Sequence, residues 1–206
     1  MNLSDEATLC GIMIGDGCLC LYCPKNSGPK YTIDITLNLS NDLPFANQIV
    51  LPLLNKIADR KVRAKHRPKE GKLEIVLYSK KLFYRFHNDW EFPIGKKGEI
   101  RIPDKFLHKK GLLRKVLAGI FATDGTLIFS KQHKTEAYYP RFEFSSSSSV
   151  LLNQIYTFFK QTNYKTSKWK NRVAVNGFWS AKKFIKEISL INPKHQQRAG
   201  SLAWLE

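Results

Sequence analysis

Two short segments of the same pattern, roughly a hundred residues apart, constrain the fold of this 206-residue chain more than any other feature. The first is "LCGIMIGDG" at residues 9–17, and the second is "LAGIFATDG" at residues 117–125. Each is an apolar run that ends in Asp-Gly. A later pair matches as well, since "WSAKKFIKEIS" near the end of the chain is similar to "YSKKLFYRF" in the first half. The sequence therefore indicates an internal duplication.

The hydrophobic periodicity predicts the same order of elements in both copies. A helix from Asp5 to about Ile14 precedes two strands, a second helix, a hairpin and a third helix, and the series returns in the second half. We expect an α+β fold of two pseudo-symmetric αββαββα repeats, at residues 1–90 and 111–206. Residues 91–110 carry prolines, glycines and many lysines, which is typical of a linker with at most one short extended piece.

Capping residues and prolines mark where the later helices of the first copy begin or bend. Asn41 or Asp42 is the predicted N-cap of the second helix, which tolerates Pro44 in its first turn and is disturbed by Pro52. Ser79 is the predicted N-cap of the third helix.

The charge of the chain points to a polyanionic partner. Thirty-four Lys and Arg residues against seventeen Asp and Glu residues give a formal net charge of +17, and the basic residues recur along the whole chain. An acidic membrane usually binds a basic amphipathic helix or a lipidated segment, and neither is evident, so nucleic acid is the favoured partner. No apolar run reaches the roughly 20 residues of a membrane helix, and no basic and apolar leader opens the chain. We therefore expect an intracellular protein without membrane contact.

All four cysteines lie in the first 23 residues. A structural zinc site needs four ligands at distinct corners, whereas Cys18 and Cys20 share one face of a predicted strand and Cys10 lies inside the first motif. Small, partly buried residues in a reducing compartment are the favoured interpretation.

Each motif places small residues four positions apart. Gly11 and Gly15 in the first motif, and Gly119 and Thr123 in the second, lie on one face of a helix. For a single motif, ordinary helix packing explains such a face. Two such faces allow two helices to approach with backbone close to backbone.

Asp16 and Asp124 end their motif helices, where an acidic residue is unfavourable. The helix dipole leaves partial negative charge at the C-terminus, and Gly17 and Gly125 occupy the positions at which a terminating C′ residue belongs. If the two helices pack side by side about a pseudo-twofold axis, the two carboxylates also repel each other. Divalent cations would relieve both effects, so we predict that these aspartates are metal ligands.

The paired motifs within αββαββα repeats resemble the LAGLIDADG homing endonucleases in their single-chain, two-motif form. The resemblance spans nearly the whole chain and rests on "LCGIMIGDG" and "LAGIFATDG" in register with the same order of elements. It implies that the motif helices form the interface between the halves, and that each half contributes a four-stranded antiparallel sheet to a saddle in the DNA major groove. It also implies a monomer that binds double-stranded DNA.

The resemblance assigns Mg²⁺ binding to Asp16 and Asp124, with the carbonyl groups of Gly15 and Thr123 completing part of the coordination. Mn²⁺ or Ca²⁺ can replace Mg²⁺ in binding. Mg²⁺ prefers carboxylate, carbonyl, phosphate and water oxygens, and metal ions beside a scissile phosphate activate water and stabilise the leaving 3′ oxygen. Two such centres imply cleavage of both strands across the minor groove, with staggered 3′ overhangs.

The sequence departs from the family pattern at two kinds of position. The earlier acidic position of each motif holds Ile14 or Ala122, and the change is tolerable because that position is not a metal ligand. Many relatives carry a polar Gln and a Lys near the end of the second strand of each half, and this chain has no lysine there. The residues that align with these positions are Asn38, Leu39, Ser146 and Ser147.

Basic residues of the predicted strands are the candidates for DNA contact. Alternate side chains of a strand project from one face, so "KVRAKHR" and "TSKWKNR" each place their basic residues on a single side. A solvated face or a guarded sheet edge is the alternative interpretation. Lys131 and Lys134 are in addition the nearest basic candidates for stabilising transition-state charge. The predicted DNA-binding residues are Tyr31, Lys61, Arg63, Lys65, Arg67, Lys131, Lys134, Arg141, Lys168, Lys170 and Arg172.

The C-terminal segment carries a polar cluster of His195, Gln196, Gln197 and Arg198. Contact with backbone phosphates is the expected role of this cluster, and His195 is also a candidate catalytic base.

Two functions remain open at this point. The first is a site-specific, Mg²⁺-dependent double-strand DNA endonuclease of the intron-homing type. The second is an RNA maturase or DNA-binding regulator that keeps the fold without cleavage, which the missing lysines favour. A purely structural basic protein does not explain the duplication.

Overall fold

The computed structural model describes residues 2–130 and 139–200. The first half contains α1 (Leu3–Asp16), β1 (Gly17–Tyr22), β2 (Lys30–Asn38), α2 (Leu43–Phe45), α3 (Leu51–Ala58), β3 (Ala64–Arg67), β4 (Lys72–Tyr78) and α4 (Lys80–Asp89). Between the halves lies α5 (Asp104–Leu107). The second half contains α6 (Lys110–Asp124), β5 (Gly125–Ser130), β6 (Tyr139–Ser145), α7 (Ser149–Gln161), β7 (Thr166–Lys168), β8 (Arg172–Asn176), α8 (Phe178–Glu187) and α9 (Pro193–Gly200). The predicted α+β order is confirmed, and α5 and α9 are additions to it. In the described stretches, no helix combines the length and the apolar character needed to cross a membrane.

Each half forms a four-stranded antiparallel sheet, in the order β1-β2-β4-β3 and β5-β6-β8-β7. Alternate residues of the central strands, such as Ile33 and Ile35 of β2, are buried under the helices. In the second sheet the buried face is aromatic, and the rings of Phe142 and Phe184 stack with centroids 4.5 Å apart. The opposite face of each sheet, which we call the open face, carries the residues that alternate with the buried ones.

The two motif helices, α1 and α6, pack against each other at the centre of the molecule. A Cβ atom on Gly11 would overlap the carbonyl group of Val116, and one on Gly119 would overlap the carbonyl group of Thr8. Only glycine therefore permits this separation of the two backbones, and the predicted close approach is confirmed.

The caps and prolines act largely as predicted. Ser79 caps α4, because its hydroxyl oxygen accepts from the backbone N–H of Leu82 at 3.2 Å. A π-helical turn, Ala46–Val50, separates α2 from α3. Pro52 follows it in the first turn of α3, and its missing N–H breaks the ladder of i→i−4 bonds. Asp42 occupies the N-cap position of α2, but its side chain makes no capping hydrogen bond.

The segment that joins the halves has more structure than the sequence predicts. Ile102 and Phe106 are fully buried. The backbone N–H of Ile102 donates to the side chain of Gln154 at 2.8 Å, and the Gln154 amide donates back to the Ile102 carbonyl at 3.1 Å. The segment is thus fixed to α7 and contributes to the core.

Glu6 of α1 connects three parts of the fold. Its buried carboxylate accepts hydrogen bonds from Arg85 of α4 at 3.1 Å, from Trp90 at 3.0 Å and from Lys105 of α5 at 2.5 Å. Burial alone would raise the pKa of this carboxyl, but the hydrogen bonds and the two cations outweigh burial and lower it. The charged form is therefore stabilised inside the protein.

Candidate metal-binding and nucleic-acid-binding site

The C-terminal ends of α1 and α6 bring Asp16 and Asp124 together. The Oδ2 atom of Asp124 lies 3.4 Å from the point that a Cβ atom on Gly15 would occupy. Asp16 is half-buried, and burial, followed by the negative charges of Asp124 and Asp42, raises its pKa to about 6. The two carboxylates thus share a position in which their negative charge is unfavourable.

Asp124 is the more exposed of the two aspartates. Partial burial also raises its pKa, although the positive charges of Lys97 and Lys194 act in the opposite direction. Asp124 opens onto a cleft of about 440 Å³ beside β5. The cleft is lined by Asn41, Thr123, Asp124, Gly125, Thr126, Leu127, Lys194, His195 and Arg198.

The glycines that follow the aspartates serve packing and not a left-handed turn. Gly17 has φ −88° and Gly125 has φ −82°, so both are extended and begin a strand. A Cβ atom on Gly17 would collide with Met13, and one on Gly125 would collide with Phe121. Gly17 and Gly125 are therefore not left-handed C′ residues, which corrects the prediction. Each has to be glycine because the first residue of the strand lies against the last turn of the preceding helix and leaves no room for a side chain.

Lys97, from the segment between the halves, lies at the end of α1. Its Nζ donates to the carbonyl of Ile14 at 2.9 Å, to that of Met13 at 3.5 Å and to that of Gly15. Burial lowers its pKa, and the neighbouring aspartates only partly offset this effect. No sequence pattern marks this lysine, because it belongs to neither motif and reaches the site only through the path of the linker.

Asn192 and Lys194 surround the end of α6. The Asn192 amide donates to the Ala122 carbonyl at 2.8 Å and to Asp42 Oδ1 at 2.9 Å. Lys194 pairs with the same carboxylate oxygen at 2.8 Å. Asp42 therefore anchors the C-terminal segment to the first half, which explains why it caps no helix. The polar composition of the C-terminal segment is visible in the sequence, but these contacts are not.

His195 is buried beside the motif helix, with its ring centroid 4.9 Å from that of Phe121. Burial lowers the pKa of its imidazole to about 4, so the ring is neutral at physiological pH. The ring lines the cleft in front of Asp124 but packs against the aromatic core, which favours a structural role over that of a catalytic base.

The donor groups at this site fit a divalent cation that takes its remaining ligands from outside the protein. Asp16, Asp124 and the carbonyl groups of Gly15 and Thr123 offer oxygen atoms, which Mg²⁺ prefers. Burial is the main cause of the raised pKa values of both carboxyls, and a bound cation would favour their charged forms. Across residues 2–130 and 139–200, no three His, Cys, Asp or Glu side chains are grouped to hold a metal ion by themselves.

The basic residues of β3 lie on the open face of the first sheet. Lys65 pairs in register with Glu74, and Glu74 lies between the buried residues Leu73 and Ile75 of β4. Arg67 is on the same face, and its Nε donates to Glu74 at 2.9 Å. Lys61 and Arg63 precede the strand and flank the buried Val62, so they also point away from the core.

The second sheet follows the prediction only in part. Arg141 of β6 and Arg172 of β8 lie on the open face, where both are paired with Glu143. Lys168 of β7 pairs in register with the buried Val173, and its ammonium group donates to the side chain of Asn153 in α7. The prediction that Lys168 shares a face with Arg172 is therefore wrong. A turn separates the two strands, and alternation does not continue through a turn; Lys170 lies in that turn and is exposed.

Tyr31 does not lie on the open face. Its ring packs on the helix-covered side, with centroids 5.3 Å from Phe83 and 5.4 Å from Tyr84. The prediction that it joins the basic surface of the strands is wrong, because it lies on the same face of β2 as the core residues Ile33 and Ile35, whereas its contact with DNA stays a prediction. Lys131 and Lys134 lie outside the described residues.

Several solved structures have the same fold as this chain. A crystal structure of I-DmoI in complex with DNA and Mn has a TM-score of 0.65 and 21% sequence identity, and the match covers 91% of this chain and 98% of that chain. The I-LtrWI LAGLIDADG homing endonuclease bound to target DNA has a TM-score of 0.66 and 12% identity, with 96% and 88% of the two chains covered. The meganuclease I-SmaMI bound to uncleaveable DNA has a TM-score of 0.62 and 13% identity, with 93% and 87% covered. No family model and no curated protein matches the sequence. The chain therefore has the two-repeat fold of the LAGLIDADG homing endonucleases.

Proposed function

We propose that the protein is a site-specific endonuclease that binds double-stranded DNA and hydrolyses one phosphodiester bond in each strand. The observation that carries this proposal is the convergence of Asp16 and Asp124 at the ends of two helices that only glycine allows to pack so closely. The DNA bound in the structures of I-DmoI and I-LtrWI supports a DNA partner for the same fold. We propose a monomer, built of repeats at residues 1–90 and 111–206 with residues 91–110 between them.

Mg²⁺ is the proposed metal, and when bound it activates a water molecule and stabilises the leaving 3′ oxygen. Asp16, Asp124 and the carbonyl groups of Gly15 and Thr123 bind and orient it. The contact at Gly11 and Gly119 brings the ends of the two helices close together, because the two backbones meet there without a side chain between them. The chain therefore presents one acidic group to each DNA strand.

The open faces of the two sheets position the DNA. They carry Lys65 and Arg67 on one side of the helix pair, and Arg141 and Arg172 on the other. Arginine and lysine neutralise phosphates and donate to base edges in the major groove. We propose that the pseudo-twofold arrangement places the two cuts across the minor groove and leaves staggered 3′ overhangs.

The test is a cleavage selection on a plasmid library of randomised sites with Mg²⁺. We expect the wild-type protein to cut a discrete set of sites, and Asp16→Asn and Asp124→Asn to bind those sites without cutting them. Asp59→Asn is the matched control, because Asp59 is exposed and its left-handed backbone suits asparagine. Robust cleavage by the Asp16→Asn, Asp124→Asn double variant would reject the proposal.

An RNA maturase or DNA-binding regulator without cleavage is the second candidate. The observation that favours it is the absence of lysine at the ends of β2 and β6, where Asn38 and Ser146 stand. Tight, salt-sensitive binding in the same selection, without any cut product, would favour this function over the endonuclease.

A further inference from the structure

The ammonium group of Lys97 occupies the end of α1 that carries Asp16. It donates to the Ile14 carbonyl at 2.9 Å, to the Met13 carbonyl at 3.5 Å and to the Gly15 carbonyl. These carbonyl groups belong to the last helical turn, where the negative end of the helix dipole favours a cation, and the Met13 carbonyl also accepts from the backbone N–H of Gly17. Lys97 therefore supplies a positive charge at the point where the first motif offers its oxygen ligands.

The end of α6 is satisfied in a different way. The Ala122 carbonyl accepts from the neutral amide of Asn192 at 2.8 Å. The nearby Lys194 is held by the Asp42 carboxylate at 2.8 Å, which offsets its charge. In the part of the chain that the structure describes, no lysine donates to the last-turn carbonyl groups of α6.

We propose that Lys97 is a tethered cation that competes with a divalent metal ion for the Gly15 carbonyl, so that the first half binds metal more weakly than the second. This inference rests on the proposed function, because it takes the aspartates as metal ligands. A carbonyl oxygen already bonded to an ammonium group has to give up that contact to coordinate a metal ion, and two cations at this distance repel each other. In the metal-free protein, Lys97 offsets the repulsion between the two carboxylates.

Unequal metal affinity has a consequence for the reaction. At limiting metal concentration the second half is occupied before the first half. We therefore expect nicked DNA, cut in one defined strand, to precede the double-strand break.

The test is a titration of the DNA-free protein with Mn²⁺, followed by electron paramagnetic resonance. We expect the wild type to bind Mn²⁺ in two unequal classes. Lys97→Met should strengthen the weaker class by about tenfold, which corresponds to about 1.4 kcal/mol. Lys97→Gln should do the same while keeping a hydrogen-bond donor, and it serves as the second variant if the first does not fold. Lys97→Arg keeps the charge and should resemble the wild type.

Lys96→Met is the matched control, because Lys96 is the exposed neighbour of Lys97 and its loss changes the net charge equally. Unchanged or weaker Mn²⁺ binding in both Lys97→Met and Lys97→Gln would overturn the inference and leave the proposed function standing. Absence of Mn²⁺ binding to the DNA-free wild type would overturn the inference alone, because the proposed metal site takes further ligands from DNA. Asp16→Asn and Asp124→Asn variants that bind Mn²⁺ as the wild type does would overturn both proposals.

Discussion

The two motif helices, α1 and α6, hold equivalent positions in the two halves, but the ion pairs that anchor them have exchanged charges. The motif helix supplies the acidic partner in the first half and the basic partner in the second. Glu6 stands ten residues before Asp16, and Arg114 stands ten residues before Asp124. Glu6 pairs with Arg85 of α4 at 3.1 Å, whereas Arg114 pairs with Glu187 of α8 at 2.6 Å. The duplication has kept the geometry of this contact and exchanged its charges. An ion pair therefore anchors the motif helix at this point in both halves, although the residues differ.

The surroundings of the two anchors also differ. The Glu6 side chain is 4% exposed and has three donors, whereas the side chains of Arg114 and Glu187 are 34% and 24% exposed. At the C-terminal ends of the helices, the charged Lys97 donates to a last-turn carbonyl group of α1, whereas the neutral Asn192 donates to one of α6. The two halves thus share the same order of helices and strands, whereas the charges at the two ends of their motif helices differ.

The largest expected effect concerns what the halves share, the contact between the helices. Gly119→Ala should lower the free energy of unfolding by about 3 kcal/mol, because the added methyl group meets the backbone of α1. Gly111→Ala, in the same helix but with open space around it, should raise it by about 0.5 kcal/mol. Urea denaturation followed by circular dichroism measures both. Equal effects of the two substitutions would mean that the helices are not in close contact.

The second prediction sharpens the contrast between the anchors. Glu6→Ala should lower the free energy of unfolding by about 3 kcal/mol, since it leaves buried donors and two cations without their partner. Glu187→Ala should lower it by about 1 kcal/mol, because its pair is partly exposed. The same denaturation measurement applies to both. A larger loss from Glu187→Ala would show that burial does not set the difference.

The third prediction compares the contributions of Asp16 and Asp124 to stability as a function of pH. The pKa of Asp16 in the folded protein is about 6, above its ordinary value of 3.8, so the stability of the metal-free wild type falls as the pH rises from about 4 through about 6. In EDTA above pH 6, Asp16→Asn should therefore be more stable than the wild type by about 1–2 kcal/mol, with the difference shrinking toward pH 4. Asp124→Asn should gain less, because Asp124 is more exposed. Thermal melts across this pH range would contradict the account if Asp16→Asn were the less stable protein at pH 8.

The smallest expected effect distinguishes the two faces of the second sheet. Arg172→Ala should weaken binding to duplex DNA of unrelated sequence and reduce the slope of log affinity against log salt by about 1. Lys168→Ala should change the slope by less, because Lys168 lies on the helix side and contacts Asn153. Fluorescence anisotropy at several salt concentrations measures both slopes, and equal losses would argue against the assigned faces.

The sequence predicts the features of this molecule that are local or repeated. The two motifs, the order of elements and the small residues Gly11 and Gly119 all follow from spacing within one helix or from comparison of the two copies. The pairing of Asp16 with Asp124 follows because a duplicated helix with a small-residue face has an equivalent partner to pack against.

The features that the sequence does not predict depend on contacts between distant segments. Lys97 and Asn192 reach the helix ends from the linker and from the C-terminal segment, and no periodicity marks either. Lys168 lies on the helix-covered face because strand alternation does not continue through the turn between β7 and β8. Tyr31 has a polar hydroxyl group, but its ring lies on the face of β2 that the helices cover.

The most direct test of the central claim is anomalous diffraction from Mn²⁺ in crystals of the protein with a DNA site recovered by the library selection. We predict anomalous peaks at the ends of α1 and α6, in contact with the carboxylates of Asp16 and Asp124 and with phosphate oxygens of the DNA. Cleaved DNA whose scissile phosphates lie away from these carboxylates, with no metal ion bound to either aspartate, would contradict the account.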